Sequence, residues 1–124
     1  MTKQKIANSE ILANLAVEGM KEKKGHDIVK IDLRGLNASV ADFYIICHGD
    51  SDKQVEAIAE SVEHEIKKVT KEFPFGREGQ RNAEWILIDY VDVVIHVFVK
   101  DKRSFYGLET LWGDGEVTHY EDEY

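Results

Sequence analysis

Two carboxylates and one imidazole interrupt the apolar run WILIDYVDVVIHVF between Trp85 and Phe98. Asp89, Asp92 and His96 are ligand types that suit magnesium, manganese or zinc, so the run is a candidate for a metal-assisted active site. The spacing argues against one shared ion, because about 13 Å of extended chain separates Asp92 from His96 at roughly 3.3 Å per residue. We therefore predict no metal, no cofactor and no catalytic residue in this run.

The segment HGDSD is a second candidate for chemistry, because a predicted strand ends at Gly49 and Ser51 can cap the helix that follows. Nucleotidyltransferases hold a triphosphate at a helix N-terminus of this kind. They also need a pair of acids on one face of the next strand to hold two magnesium ions, whereas the next strand here reads AEWILID. A core shared with nucleotidyltransferases but lacking their chemistry is therefore one alternative, and an active metal-dependent nucleotidyltransferase is the other.

The composition indicates one folded domain with an acidic surface. Its 124 residues suffice for one core, and 43% hydrophobic with 32% charged residues exclude a disordered chain. Cys47 is the only cysteine, so no internal disulfide is possible and a small buried side chain is expected. The formal net charge of -8 argues against a dedicated nucleic-acid grip and favours a basic protein partner. Without a membrane span or secretory signal in its sequence, we expect the protein in the cytoplasm.

Apolar periodicity in the first half predicts two helices and two strands. The first helix runs from its N-cap Asn8 to Lys24 and stops at Gly25. DIVKIDLR alternates and predicts a strand with one solvated face, whereas the apolar segment ADFYIICHG predicts a central strand. Ser51 and Gln54 form a capping box before the second helix. The apolar stripes are Ile11, Leu12, Leu15, Ala16 and Met20 in the first helix and Val55, Ile58, Ala59, Val62, Ile66 and Val69 in the second.

The second half predicts a hairpin between a loop and a last helix. KEFPFGREGQRNAE contains the only proline and is typical of a surface loop, and WILID and VVIHVFV predict antiparallel strands joined by a tight turn. A helix begins at Asp101 and places Phe105, Leu108 and Trp112 on one stripe, and the acidic tail from about residue 113 is expected to be solvated or disordered. Together, residues 1–124 predict one α+β domain with a single mixed β-sheet of about four to five strands packed with helices.

The two hairpin strands carry large apolar side chains on both faces. Strand alternation predicts one face with Trp85, Leu87 and Asp89 and the other with Ile86, Ile88 and Tyr90. Because helices on one side only would leave the other face uncovered, part of this apolar surface is a candidate partner site. Trp85 fits the core and the surface equally well, whereas Trp112 fits the core better. Arg103, Tyr106 and Glu109 follow at three-residue spacing on the last helix and would extend the patch.

Four blocks of the sequence resemble the ribosomal silencing factor family, also called the Iojap family. They are ADFYIICHGDSDKQVEAIAESV, the EG of REGQ, AEWILIDYVDVVIHVF and KRSFYGLETLWGD, and the resemblance extends from Ile6 to Tyr120. It implies a compact α+β fold with a nucleotidyltransferase-like core but without catalysis. It also implies binding to the fourteenth ribosomal protein of the large subunit. Such binding would block association of the large and small subunits and repress translation when nutrients are scarce. The resemblance also implies that members form homodimers in some settings.

The resemblance implies a shared surface on the hairpin and the last helix, formed by Trp85, Asp89, Tyr90, Asp92, His96, Arg103, Tyr106, Glu109 and Trp112. One departure is Val91, where the family usually has glycine. Because a β-branched side chain resists positive φ, we expect a different type of turn in this chain. A plain homodimeric scaffold is the third functional hypothesis, beside the silencing factor and the nucleotidyltransferase.

Overall fold

A computed structural model describes residues 2–36, 41–79, 82–103, 107 and 115–124 of the chain. The helices and strands are α1 (Thr2–Glu22), β1 (His26–Asp32), β2 (Phe43–Gly49), α2 (Asp52–Thr70), β3 (Gly76–Glu78), β4 (Trp85–Asp89), β5 (Val93–Val99) and β6 (Glu116–Tyr120). A short 3₁₀ helix, Lys100–Lys102, follows β5.

The described strands form one six-stranded sheet in the order β3-β4-β5-β2-β1-β6. β2 and β5 pair in parallel at its centre, and the other neighbouring strands pair antiparallel. These pairings confirm the α+β fold with a mixed sheet, the central position of β2 and the antiparallel hairpin of β4 and β5. The predicted number of four to five strands is too low. β3 has only three residues and β6 has exposed side chains, so neither shows the buried alternation that reveals a strand.

Both α1 and α2 pack on the same side of the sheet, which we call the helix face. Side chains from both helices form the main core there with alternate strand positions such as Ile45 and Ile95. The intervening strand positions point to the opposite side, called the second face, where Ile46 and Phe98 belong to a smaller buried cluster. The described helices therefore lie on one side of the sheet, as the partner-site hypothesis requires.

α1 begins at Thr2, so the prediction that Asn8 caps its N-terminus is wrong. An asparagine inside a helix costs only about 0.5 kcal/mol, which the good helix formers around it offset. The predicted stop is confirmed at the C-terminus. Lys24 adopts a left-handed φ of 59°, and Gly25 donates its N–H to the Met20 carbonyl at 2.8 Å.

The predicted cap of α2 is confirmed in its main part. Ser51 Oγ accepts the backbone N–H of Gln54 at 3.2 Å, whereas the Gln54 side chain accepts from the N–H of Asp50 rather than from that of Ser51. Most of the two predicted apolar stripes is buried. The clearest exceptions are Ile11 and Val69, which are 44% and 55% exposed.

The acidic tail forms a strand and its side chains are mostly exposed, so for residues 115–124 the expectation of a solvated tail is confirmed and that of a disordered one is wrong. The whole of β6 pairs with β1 from Ile28 to Asp32, because backbone hydrogen bonds do not require apolar side chains. Beyond β6, the Asp122 carboxylate lies 2.8 Å from Nδ1 of His26 and accepts the N–H of Asp27 at 3.1 Å. The contact with Asp122 raises the pKa of His26 and lowers that of Asp122. The tail is therefore fastened to the edge of the sheet.

The predicted last helix lies largely outside the described residues. The predicted positions that fall outside them are Phe105, Tyr106, Leu108, Glu109 and Trp112. Gly107 is described and has a left-handed φ of 61°. Because a right-handed helix requires negative φ, the prediction of one uninterrupted helix from 101 to 112 is wrong at this glycine.

Candidate functional site

The second face carries a cluster of rings where β4 and β5 pair. Trp85 donates its indole N–H to Nδ1 of His96 at 3.1 Å. The Trp85 ring also stacks on Phe98, with centroids 5.1 Å apart, and Tyr44 on β2 meets the His96 ring edge-on at 4.9 Å. The hairpin register places Trp85 opposite Phe98 and Leu87 opposite His96, and it thereby brings these side chains together.

His96 is a buried structural group in this cluster. It is 3% exposed, and burial lowers its pKa to about 3, so the imidazole is neutral at neutral pH. Since an indole nitrogen only donates, Nδ1 of His96 is the acceptor and Nε2 carries the proton. Nε2 has no hydrogen-bond partner in the part of the chain that the structure describes. His96 thus orients Trp85, and it is too deeply buried to work as an acid or base at the surface.

Half-buried side chains surround the rings and form a surface that we call the docking patch. Leu87 on β4, Val94 on β5 and Tyr44 on β2 are each partly exposed on the second face. A groove of about 280 Å³ adjoins Leu87 and Trp85 and is also lined by two glutamates. The docking patch comprises Tyr44, Glu78, Glu84, Trp85, Leu87 and Val94. Its apolar centre and acidic border suit a partner with apolar and basic groups.

The hairpin turn is shaped by Asp89. Its carboxylate accepts the N–H of Val91 at 2.7 Å, and the Tyr90 carbonyl accepts the N–H of Asp92 at 2.9 Å. The second bond closes a γ-turn in which Val91 has a φ of 76°. The expectation that valine would avoid positive φ is therefore wrong: the turn imposes on Val91 a conformation that glycine would adopt without strain.

Replacing Val91 with glycine should raise the free energy of unfolding by about 1 kcal/mol. A non-glycine residue in left-handed backbone costs roughly 1 to 2 kcal/mol of stability, which the glycine variant would regain. The greater freedom of glycine in the unfolded chain offsets roughly 0.5 kcal/mol of this gain. Urea unfolding of both proteins measures the difference. Val91→Ala is the matched control, because it shortens the side chain but keeps a Cβ at positive φ, and it should change stability less. A Val91→Gly variant less stable than the parent would contradict the strain.

The hairpin residues predicted to form the site separate onto the two sides of the sheet. Trp85 and Asp89 lie on the second face, and Asp92 is exposed at the turn. Tyr90 points to the helix face, where it is 7% exposed and belongs to the main core. Burial raises the pKa of its hydroxyl, which has no hydrogen-bond partner among the described residues.

Arg103 lies at the other end of the sheet from the hairpin turn. Its guanidinium donates to the His26 carbonyl at 3.2 Å and to Nδ1 of His48 at 3.0 Å, and it thereby joins β1 to β2. Burial and the nearby guanidinium lower the pKa of His48. Of the remaining predicted residues, Tyr106 and Glu109 lie outside the described part of the chain.

Two further candidates for chemistry are a group of metal ligands and the Cys47 thiol. Among them, no three histidine, cysteine, aspartate or glutamate side chains are grouped to hold a metal ion. Cys47 is buried, and burial raises the pKa of its thiol to about 12, so it is not a reactive thiolate. None of the described helices has the length and apolar character needed to cross a membrane.

These features define a class of protein: a small α+β domain with helices on one face of a mixed sheet and a half-buried apolar patch on the other. Comparison with known proteins narrows the class to a family. A family model described as "Ribosomal silencing factor during starvation" matches residues 6–123. The chain belongs to the ribosomal silencing factor family, a name that denotes a regulatory factor rather than an enzyme.

Relatives and solved structures agree with this family. "Ribosomal silencing factor RsfS" of Halalkalibacterium halodurans is 46% identical over 119 residues, which cover 94% of this chain and 97% of the relative. The protein of the same name from Bacillus subtilis is 41% identical, with 89% and 92% covered. A crystal structure of a Chromobacterium violaceum protein has a TM-score of 0.78 at 36% identity, with 84% and 85% covered. One from Bacillus halodurans has a TM-score of 0.71 at 39% identity, with 92% and 99% covered. The predicted family and fold are confirmed.

Proposed function

We propose that this protein binds the large ribosomal subunit through its fourteenth ribosomal protein and blocks association with the small subunit. The observation that carries the proposal is the docking patch, which presents half-buried apolar side chains on the side of the sheet away from α1 and α2. An apolar patch rimmed by polar groups usually marks a protein partner site. A domain bound where the subunits join would exclude the small subunit by its volume alone, so translation would be repressed without a chemical step.

The charge distribution supports a basic partner such as a ribosomal protein. The formal net charge is -8, and Glu78 and Glu84 line the groove beside Trp85. Asp92 adds an exposed carboxylate at the hairpin turn. Opposite charge speeds the encounter, while apolar groups in the patch slow dissociation. A contact of about 800 Å² on each partner would give a stable complex.

The predicted site residues take different parts in this proposal. Trp85, Asp89 and Asp92 would contact the partner directly, because they lie on the second face or at the exposed turn. His96 would hold the Trp85 ring in place from below. Tyr90 and Arg103 are buried and would support the two ends of the surface, and Tyr106 and Glu109 remain proposed contacts.

We propose that the protein acts in the cytoplasm and represses translation when nutrients are limiting. A second copy of the chain would compete for the same apolar patch, so homodimer formation and ribosome binding would oppose each other. A plain homodimeric scaffold would form the dimer without binding the ribosome, and a nucleotidyltransferase would turn over a nucleotide in a metal-dependent reaction.

Sedimentation of ribosomes with added protein tests the proposal. The protein should co-migrate with free large subunits, and the fraction of joined ribosomes should fall as protein is added. Protein that stays at the top of the gradient would overturn the proposal.

Leu87→Arg sharpens this test, because it places a positive charge in the apolar centre of the docking patch. Affinity for large subunits should fall by about tenfold or more. Val117→Arg is the matched control, since Val117 is 37% exposed on β6 at the other edge of the sheet. Equal affinity of the two variants would move the interface away from the patch. Circular dichroism should show that both variants are folded.

A further inference from the structure

The helix side of the hairpin turn carries a second exposed apolar surface. Phe75 is 81% exposed, Phe73 is 68% exposed and Val91 is 56% exposed. These three side chains line one groove of about 380 Å³, whose lining also includes the buried residues Leu12 and Val93. Large aromatic side chains with such exposure are unusual in a folded domain, and their concentration around one groove points to a partner.

The segment that carries the two phenylalanines is held in place by hydrogen bonds. At its start, the Thr70 hydroxyl donates to the Ile66 carbonyl at 2.8 Å and accepts the N–H of Glu72 at 3.1 Å. At its end, Phe75 donates its N–H to the Asp89 carbonyl at 2.7 Å. The backbone is thus fixed on both sides of Phe73, and the rings are presented by an ordered loop.

The polar groups of the groove indicate the chemistry of its occupant. Its described lining contains the carboxylates of Glu72 and Asp92 and no lysine or arginine, although Lys67 lies beside it with Nζ 4.7 Å from the centre of the Phe73 ring. The lining itself disfavours an anionic ligand. The lining also includes Tyr90, whose buried hydroxyl has no hydrogen-bond partner in the described chain. Because that hydroxyl is buried, the two carboxylates are the polar side-chain groups that a bound segment would meet.

We propose that this groove binds a segment of a protein partner that inserts one large apolar side chain between Phe73, Phe75 and Val91. A lysine or arginine beside that side chain would face Asp92. The groove opens on the helix side of the hairpin, whereas the docking patch lies on the second face. It is therefore a separate binding element, and its existence does not depend on ribosome binding.

Nuclear magnetic resonance titration of the full chain tests the groove with three short peptides. The first has one central leucine flanked by lysines and arginines, the second replaces that leucine with serine, and the third keeps the leucine but replaces the basic residues with glutamates. The first peptide should shift the signals of Phe73, Phe75, Val91 and Leu12. The serine and acidic peptides should bind at least about tenfold more weakly.

The double variant Phe73→Ser and Phe75→Ser should weaken binding of the leucine peptide by about tenfold or more. Val69→Ser is the matched control, because Val69 is an exposed apolar residue of α2 that does not line the groove, and it should bind the peptide like the parent. Amide spectra establish that both variants are folded. The proposal is overturned if the leucine peptide leaves the groove signals unmoved, if the acidic peptide binds as tightly, or if the double variant binds like the parent.

Discussion

Replacing Trp85 with alanine should lower the free energy of unfolding by about 3 to 5 kcal/mol. The substitution removes a ring that stacks on Phe98 and also removes the donor that His96 Nδ1 accepts. A buried acceptor left without its donor adds to the cost of the lost packing, because it was desolvated for that bond. Urea unfolding followed by circular dichroism measures the loss, with the slope of the transition checked for a two-state process.

Trp85→Phe separates the hydrogen bond from the ring. Phenylalanine retains an aromatic surface against Phe98 but has no N–H, so the variant should lose about 1 to 3 kcal/mol, less than the alanine variant. Phe73→Ala is a matched control for the loss of a large aromatic group at the surface, since that ring is 68% exposed and should contribute little to stability. If Trp85→Phe is as stable as the parent, the bond to His96 does not contribute.

The alternation of the hairpin could be predicted from the sequence because side chains in a strand alternate strictly between two faces. It placed Trp85 and Leu87 on one face and Ile86 and Ile88 on the other, and the register confirms this division. The same alternation placed Tyr90 with Ile88. The family resemblance instead grouped Tyr90 with the partner-binding residues, and the structure shows it in the core. Strand periodicity was the better guide to where this side chain points.

Other parts of the site depend on contacts between distant segments, which no local pattern contains. The bond from Trp85 to His96 requires the exact hairpin register, and a shift by one residue would turn the two side chains apart. The pairing of His26 with Asp122 joins residues 96 positions apart. Tyr44 joins the docking patch only because β2 lies beside β5, an arrangement set by the crossover through α2.

Replacing Gly19 with alanine should lower the free energy of unfolding by about 2 kcal/mol. A Cβ at this position would lie 2.6 Å from Cα of Val62 and 3.0 Å from the Ser61 carbonyl oxygen, so α1 and α2 would have to move apart. Overpacking of this kind lowers the free energy of unfolding by about 3 kcal/mol. The better helix propensity of alanine raises it by about 1 kcal/mol. Gly35→Ala is the control, because a Cβ there meets nothing within 4 Å. Urea unfolding of both variants measures the difference.

The same variant also separates the helix layer from the docking patch. Gly19 lies between the two helices, whereas Leu87 and Val94 lie on the second face, so the sheet stands between the overpacked contact and the proposed interface. Gly19→Ala should therefore bind large ribosomal subunits like the parent at a temperature where it is fully folded. Weaker binding by the folded variant would mean that the position of α1 or α2 contributes to docking. Unchanged binding, together with a loss in Leu87→Arg, would place recognition on the second face alone.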